Sequence, residues 1–232
     1  LNIKKTNFII FRSKQKSIRN LPHIKIDNTS IEQVNSTKFL GVIINSTLTW
    51  SDHINVVKQK VNKNIGIVCR LRHTLPLTVL KSLYHTLIHP YYEYCNIVYA
   101  IHRSTALENL FLSQKKAVRI ITNSPWNCHT PPLFKRLNIL PLYHVNDVQV
   151  ACFVYRATHQ LLPPYFCSMF QSNKLIHSHI TRQNKNLHIF RHNLNIRKYT
   201  VRIFGTLLWN SLPSTLRDVT AVKKKKKKYK RM

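Results

Sequence analysis

Lysine and arginine are the residues whose number and spacing most directly suggest chemistry in this sequence. The 232-residue chain carries 37 of them against 7 aspartate and glutamate residues, which gives a net charge of +30. So much positive charge repels itself unless a polyanion neutralises it, and nucleic acid is the favoured partner. An anionic membrane surface is the second alternative, and a basic protein without a polyanionic partner is the third.

Two groups of cations lie on segments with helical spacing, where they could contact phosphate groups. Lys60 and Lys63 form the first group, and Lys115, Lys116 and Arg119 form the second. Contacts of this kind bind nucleic acid without regard to its sequence. The alternative is an ordinary solvated helix face, and the net charge favours phosphate contact.

The carboxylates are too scattered to predict catalysis. Phosphoryl transfer by two metal ions needs carboxylates that converge on ions about 3.5–4 Å apart. The acids fall on different predicted elements: Asp27, Glu32, Asp52, Glu93, Glu108, Asp147 and Asp218. We therefore predict no catalytic residue, no metal site and no bound cofactor in this chain. The sequence also has no phosphate-binding glycine loop, serine elbow or zinc-binding H-E-x-x-H motif.

The five cysteines are widely spaced and odd in number, so they indicate neither a disulfide framework nor a zinc ribbon. Most lie among apolar residues, and we expect them to be core thiols. The alternative is a metal site that joins Cys128 and His129 to His177 and His179, although this spacing fits no known pattern.

A third chemical possibility is an aromatic cluster. Tyr91, Tyr92 and Tyr94 could stack on the bases of a single strand. Such clusters more often form the core of a helix bundle, and we favour that interpretation.

The elements that must position these side chains begin with short β-like runs. Residues 23–27 and 31–34 alternate around the turn-forming letters "NTS", which predicts a hairpin. Residues 38–44, "KFLGVII", are predicted to form another strand. Gly41 within it suggests a bulge or a place where another backbone comes close.

From Ser51 onward the apolar residues recur at helical spacing, which predicts one packed face on each helix. The face of the first helix is Ile54, Val57, Val61, Ile65 and Val68. The face of the helix from about 105 is Leu107, Leu110, Phe111, Gln114, Val118 and Ile121. Ser51 or Asp52 can cap the first helix, and Thr105 and Glu108 have the spacing of a capping box. We predict helices over residues 51–73, 77–100 with a stop or kink at Pro90, from about 105 onward, 133–138 and 142–161.

These patterns predict an α+β protein that is mainly α, with a small N-terminal antiparallel β region, a helical bundle and a helical extension. Residues 171–200 are polar and are expected to be irregular, and the lysine run at 223–228 is expected to be disordered. No signal peptide opens the sequence, and no apolar run reaches the ~18 residues of a membrane span. The sequence begins with Leu1, and we interpret it as a fragment.

Six phrases, in order, resemble the C-terminal region of reverse transcriptases from non-LTR retrotransposons of the jockey/CR1-like lineages. The phrases are 1–11, 38–44 followed by 48–54, 70–76, 83–95, 114–122 and 209–213. The resemblance extends over about residues 1–217. It implies the edge of a palm domain over 1–46, a helical thumb over 47–122, an extension over 123–222 and a polylysine tail over 223–232.

The resemblance also assigns roles to particular residues. In that family the segment that matches Phe39, Leu40 and Gly41 is a tight hairpin, the primer grip, which holds the primer strand near the active site. Asn45 stands where the family usually has an aspartate. The paired aspartates of the family would lie upstream of Leu1.

The parent protein implied by the resemblance is an RNA-directed DNA polymerase that uses Mg²⁺. This chain alone would hold RNA and RNA/DNA template–primer without catalysing extension, in the nucleus or cytoplasm and not as a secreted protein. The alternative is a free-standing, basic, helical RNA-binding module. The lysine run is either a nuclear-localisation signal or translation of an adenine-rich tail.

Overall fold

A computed structural model describes most of the chain, namely residues 6–13, 23–176 and 186–217 together with positions 2, 15, 16 and 184. It divides into two units, Leu1–Lys60 and Val61–Met232. The first contains all the named strands and the second most of the helices, so the predicted α+β, mainly α class is confirmed. The lysine run at 223–228 lies outside the described residues.

Six short strands of the first unit form three separate pairs. The pairs are β1 (Asn7–Phe8) with β4 (Glu32–Gln33), β2 (Lys25–Ile26) with β3 (Thr29–Ser30), and β5 (Ser36–Phe39) with β6 (Val42–Asn45). The second and third pairs are antiparallel, as predicted, whereas the first is parallel. A parallel pair needs a long connection, and the β2–β3 hairpin lies within it.

The β2–β3 hairpin has a different turn from the predicted one. Asp27 and Asn28 have φ values of 48° and 62°, and two such residues make the turn that matches the twist of paired strands. Thr29 and Ser30 therefore belong to a strand and not to the turn. The predicted hairpin therefore forms with a tighter turn, and the Ile31 N–H still donates to the Ile24 carbonyl at 2.9 Å. Only Glu32 and Gln33 depart from the prediction, because they pair with β1.

The β5–β6 pair is also a tight hairpin, where the alternation predicted a single strand. Leu40 and Gly41 form its two-residue turn, with φ values of 46° and 82°. Glycine adopts this conformation without steric cost, whereas a leucine adopts it only under strain. The prediction of a single strand with a bulge at Gly41 is wrong, because Gly41 belongs to the turn that reverses the chain. The tight hairpin implied by the resemblance is what the structure shows.

Helix α1 (Ser51–Leu71) begins directly after Trp50, so the change from strand to helix falls where it was expected. The Ile54 N–H donates to the Trp50 carbonyl at 3.0 Å, which makes Trp50 the N-cap. Ser51 and Asp52 lie in the first turn instead of capping it. The predicted apolar face is buried: Ile54, Val57, Val61, Ile65 and Val68.

Of the stop or kink predicted at Pro90, the stop does not occur, because the second predicted helix continues through this residue after a π-helical turn. That helix consists of α2 (Leu77–Leu83), a π-helical turn (Tyr84–Ile88) and α3 (His89–Glu93). The His89 N–H donates to the Tyr84 carbonyl, five residues back, so the wider turn accommodates the proline that cannot donate. The helix ends at Glu93, and Cys95, whose φ is 51°, lies directly before α4 (Asn96–Tyr99).

Helix α5 (Thr105–Ile121) is capped one residue earlier than predicted. The Ser104 hydroxyl accepts from the Leu107 N–H at 3.3 Å, and Glu108 lies in the first turn. The apolar face of α5 is buried as predicted, apart from Phe111, which is only partly buried. It includes Gln114, which donates to the Tyr84 hydroxyl and the Leu140 carbonyl and accepts from the Leu142 N–H.

The remaining helices complete the second unit. They are α6 (Thr130–Leu137), α7 (Leu142–Thr158), α8 (Pro164–Cys167), α9 (Asn173–Ile176), α10 (Asn195–Lys198), α11 (Val201–Ser211) and α12 (Ser214–Arg217). Helix α7 is buried on most sides, and α11 packs on it through Gly205, where an added Cβ would lie 2.9 Å from Val154. The apolar segment 201–211 therefore packs on the body of the second unit.

The cysteines agree with the expectation of core thiols only in part. All five are free, and Cys152 and Cys167 are buried whereas the other three are partly exposed. The alternative metal site needs His177 and His179, which lie outside the described residues.

Candidate nucleic-acid interface

The hairpin tip, Phe39–Gly41, presents two large apolar side chains to solvent. Phe39 is 62% exposed and Leu40 is 75% exposed, whereas Val42, which pairs with Phe39, is buried. The turn also holds Leu40 in a left-handed conformation. Exposed apolar groups on a strained backbone are a combination that proteins retain mainly at functional sites.

His53 supports the strand that leaves the hairpin tip. The ring is buried, and its Nδ1 accepts from the Ile43 N–H at 3.4 Å. Burial lowers the pKa of His53 below its ordinary value, and the nearby charge of Lys60 lowers it further. The neutral ring is thus the form that accepts this hydrogen bond.

Asn45 organises the turn between β6 and α1. Its amide nitrogen donates to the Thr49 hydroxyl at 2.8 Å and to an Asp52 carboxylate oxygen at 3.2 Å. Its amide oxygen accepts from the Thr49 N–H at 3.0 Å. These contacts need an amide, because a carboxylate has no hydrogen to donate. The position that matches the family aspartate therefore serves a local structural role here.

The two predicted cations of α1 are both solvent-exposed. Lys60 and Lys63 lie three residues apart, which places them on neighbouring positions of one helix surface. An arrangement of this kind can follow the phosphates of a strand.

The three predicted cations of α5 do not form a uniform surface. Lys116 is exposed, whereas Lys115 lies over the Phe111 ring with its Nζ 4.4 Å from the centroid. The Arg119 Nε donates to the Cys128 carbonyl at 2.9 Å and so fixes the loop that precedes α6. Lys115 and Arg119 therefore already make contacts within the fold, a cation–π contact for Lys115 and a hydrogen bond for Arg119.

Lys115 and Arg119 line an open cleft of about 810 Å³ between α5, α6 and the start of α7, hereafter the α5 cleft. Lys135 of α6 adds a third cation to its lining, and Lys116 is not part of it. No aspartate or glutamate occurs among the described residues that line it. The α5 cleft therefore has a positive lining that is open to solvent.

Aromatic rings lie beside these cations. Phe111 stacks on Phe134 with centroids 6.2 Å apart and contacts Tyr143 at 5.1 Å. Cations next to aromatic faces are the combination used to bind single-stranded nucleic acid. Lys135 and Phe134 were not predicted from the sequence, because nothing in the helical periodicity of α6 indicates that it faces α5.

Two carboxylates near the α5 cleft are engaged by other side chains. The Tyr143 hydroxyl donates to Glu108, and burial together with this contact raises the pKa of Tyr143 to about 12. Arg103 lies over the Tyr143 ring and 3.9 Å from Asp147, whose pKa is raised by burial. Within the described ranges, no group of three or more histidine, cysteine, aspartate or glutamate side chains is placed to hold a metal ion.

The tyrosine cluster is divided between core and surface. Tyr92 is fully buried with Tyr84 and Tyr99, as the favoured interpretation predicted. Tyr94 is 54% exposed and Tyr91 is partly buried.

Among the helices that the structure describes, none has the length and hydropathy to cross a bilayer.

The comparisons with known proteins give one consistent class, the RNA-directed DNA polymerases of mobile elements. The probable RNA-directed DNA polymerase from transposon X-element of Drosophila melanogaster is 22% identical over 146 residues, which cover 62% of this chain and 16% of that protein. The RNA-directed DNA polymerase from mobile element jockey of Drosophila funebris is 27% identical over 117 residues, which cover 49% of this chain and 13% of that protein. Its Drosophila melanogaster counterpart is 24% identical over 142 residues, which cover 60% and 15%.

The resemblance to jockey-like non-LTR retrotransposon reverse transcriptases is thereby confirmed. The aligned segments span about one sixth of the length of these relatives or less. No protein-family model matches the chain, and no solved structure matches it.

Proposed function

We propose that this chain is the part of a retrotransposon reverse transcriptase that holds the template–primer. Residues 1–46 would form the edge of the palm, 47–122 the thumb and 123–222 a C-terminal extension. The similarity to the polymerases of jockey and the X-element supports the class. The observation that carries the proposal is the exposed, strained hairpin tip.

The shape of the hairpin tip suits contact with a nucleic-acid strand. Gly41 has no side chain, so a sugar–phosphate backbone can come close to the turn. Phe39 and Leu40 offer apolar surface to the sugars and bases. Strain at Leu40 fixes the orientation of this pair before the strand binds.

The cations supply affinity without sequence preference. Lys60 and Lys63 on α1 would contact phosphates directly, and so would Lys116 on α5. Lys115 and Arg119 would act from within the α5 cleft. Since phosphate contacts release counterions, affinity for RNA and for RNA/DNA template–primer should fall steeply with salt.

The catalytic Mg²⁺ would belong to the parent polymerase and not to this chain. Asp27 lies in a hairpin turn, and Asp52 accepts from Asn45. Glu108 accepts from Tyr143, and Asp147 lies near Arg103. Their placement on separate elements supports a holding role in place of a catalytic one.

The test compares two variants of the whole chain for binding to a fluorescent RNA/DNA primer–template. Phe39→Ala with Leu40→Ala should weaken binding about fivefold or more, since stacking contacts contribute about 1–3 kcal/mol each. Phe11→Ala, which removes another exposed ring of the first unit, is the matched control and should change it little.

Equal affinities for the hairpin variant and the control would contradict the proposal. Unchanged affinity of the hairpin variant, with equal binding of single-stranded RNA and primer–template, would favour the free-standing RNA-binding module. The aromatic and cationic lining of the α5 cleft would then carry the binding. The thermal midpoint of each variant shows whether it is folded.

A further inference from the structure

A second cavity of the Val61–Met232 unit has a lining that selects for anions, and we call it the arginine cavity. It measures about 410 Å³ and lies between the end of α8, residues 190–192 and the start of α11. Arg191, Arg197 and Arg202 all line it. None of the described residues in its lining is an aspartate or glutamate.

Arg202 shows that one donor of this lining lacks an acceptor. Its guanidinium carbon lies 3.7 Å from the centroid of the Phe190 ring, which fixes the plane of the group. Its Nε is buried and has no hydrogen-bond partner within the described part of the chain. A buried donor on a charged group is costly when no acceptor reaches it, and an anion held by the outer N–H groups of the same guanidinium would offset part of that cost.

The start of α11 adds backbone donors to the same cavity. Thr200, Val201 and Ile203 belong to the lining. The first hydrogen bond of the helix runs from the Phe204 N–H to the Thr200 carbonyl at 2.9 Å, and no side chain caps the helix. The N–H groups of residues 201–203 therefore have no acceptor within the helix, and the helix dipole adds positive potential there.

An exposed ring lies at the edge of these donors. Tyr165 lines the arginine cavity and is 72% exposed. A ring beside guanidinium groups matches the two parts of a nucleotide, a flat base and a charged phosphate. A free phosphate would use the arginines alone and would leave the ring without a role.

We propose that the arginine cavity binds a phosphate of a single-stranded nucleic acid, with Tyr165 stacking on an adjacent base. The proposal goes beyond the holding function argued above, because no residue of the arginine cavity belongs to the hairpin tip, α1 or the α5 cleft. It assigns a binding role to the C-terminal extension.

The first experiment compares two variants of the whole chain, each of which lacks two positive charges. The first variant, Arg191→Gln with Arg197→Gln, removes two of the three cationic side chains that line the arginine cavity. Lys174→Gln with Lys198→Gln removes two exposed charges outside the lining and is the matched control, since Lys198 directly follows Arg197. The probe is a fluorescein-labelled hexathymidylate, and the readout is the anisotropy between about 50 and 200 mM salt.

The arginine variant should bind about tenfold more weakly than the lysine variant. Its plot of log affinity against log salt should be shallower by about 1.4, since each phosphate contact on a single strand contributes about 0.7 to the slope. Equal affinities and equal slopes for the two variants would overturn the proposal. Pyrophosphate binding as tight as that of the hexanucleotide would assign the site to a free anion and would equally overturn it.

A second readout identifies the residue that the strand contacts, independently of any affinity measurement. A hexanucleotide with 5-iodouracil should photocross-link to Tyr165 in the wild-type chain and in the lysine variant, but not in the arginine variant. Cross-linking to exposed Tyr94 in place of Tyr165 would refute the assignment. The Phe39→Ala, Leu40→Ala variant should keep the Tyr165 cross-link, so failure of the hairpin proposal and failure of this one are distinguishable.

Discussion

At the scale of single residues, the junction between hairpin and helix depends on two polar side chains that a hydrophobicity pattern does not emphasise. Asn45 holds the turn through both ends of its amide, and His53 holds β6 through a neutral ring. Each contact joins residues close in sequence, yet which atoms meet depends on the left-handed turn at Leu48 and Trp50. The sequence drew attention to Asn45 but indicated neither its partners nor those of His53.

Replacement of Asn45 by aspartate should destabilise the first unit. The substitution removes the donors to Thr49 and Asp52 and places a second carboxylate against Asp52. We expect the free energy of unfolding in urea to fall by about 1 kcal/mol. Asn62→Asp adds the same charge on the exposed side of α1 and should not destabilise a chain of charge +30.

A reciprocal change makes the Asn45 prediction sharper. Adding Asp52→Asn to Asn45→Asp reverses the two roles, so an amide again donates to a carboxylate. This double variant should recover part of the lost stability. If Asn45→Asp were as stable as Asn62→Asp, the amide contacts would not matter.

The stability of the first unit should depend on pH through His53. Its folded pKa is lower than the unfolded value of 6.5, so the unfolded chain binds more protons in the window between them. The contribution of His53 to the free energy of unfolding is therefore fully present above about pH 6.5, and it is lost as the pH falls through the folded pKa. His53→Asn, which keeps an acceptor near the Nδ1 position, should flatten this dependence, measured by urea denaturation from pH 5 to 8.

Exposed His23 supplies the control for the pH experiment. His23→Asn should leave the slope of stability against pH as it is in the wild type. A wild-type slope that survives in His53→Asn would show that another group titrates.

At the scale of elements, periodicity predicted the faces of α1 and α5 because burial repeats along a helix. It did not predict what happens where the backbone departs from regular geometry. Pro90 indicated a stop or kink, and the π turn at Tyr84–Ile88 lets the helix continue. Gly41 indicated a bulge, but a turn with two left-handed residues reverses the chain. Both outcomes depend on backbone hydrogen bonds that residue types alone do not specify.

The α5 cleft is the part of the candidate interface that sequence could not supply, since it needs α5 and α6 to face each other. Two neighbouring lysines of α5 test its role. Lys115 lines the α5 cleft over Phe111, and Lys116 lies outside it. Lys115→Gln should weaken binding of single-stranded RNA at least threefold more than Lys116→Gln, as measured by anisotropy at fixed salt.

The two lysine variants lose the same charge from adjacent positions, so their general electrostatic effects should match. A larger loss for Lys116→Gln would mean that the exposed face of α5, and not the α5 cleft, contacts the strand.

At the scale of the whole molecule, the excess of cations and the dispersal of acids both favour binding of a polyanion over catalysis by this chain. The net charge of +30 favours a polyanion across much of the surface. Of the six carboxylates that the structure describes, four contact another side chain: Asp52 with Asn45, Glu93 with His89, Glu108 with Tyr143 and Asp147 with Arg103. Charge was evident from composition, whereas these engagements appear only in the folded chain.

The purified chain should therefore bind a primer–template without extending the primer. Two-metal catalysis needs carboxylates that converge on ions about 3.5–4 Å apart, and the acids within the described ranges lie on separate elements. Incubation with labelled primer, nucleoside triphosphates and either Mg²⁺ or Mn²⁺ should leave the primer length unchanged on a denaturing gel. Anisotropy under the same conditions confirms that the primer–template is bound, so a negative result is not a failure of binding. Extension that disappears in an Asp147→Asn variant, with binding intact, would place a catalytic carboxylate in this chain and contradict the holding role.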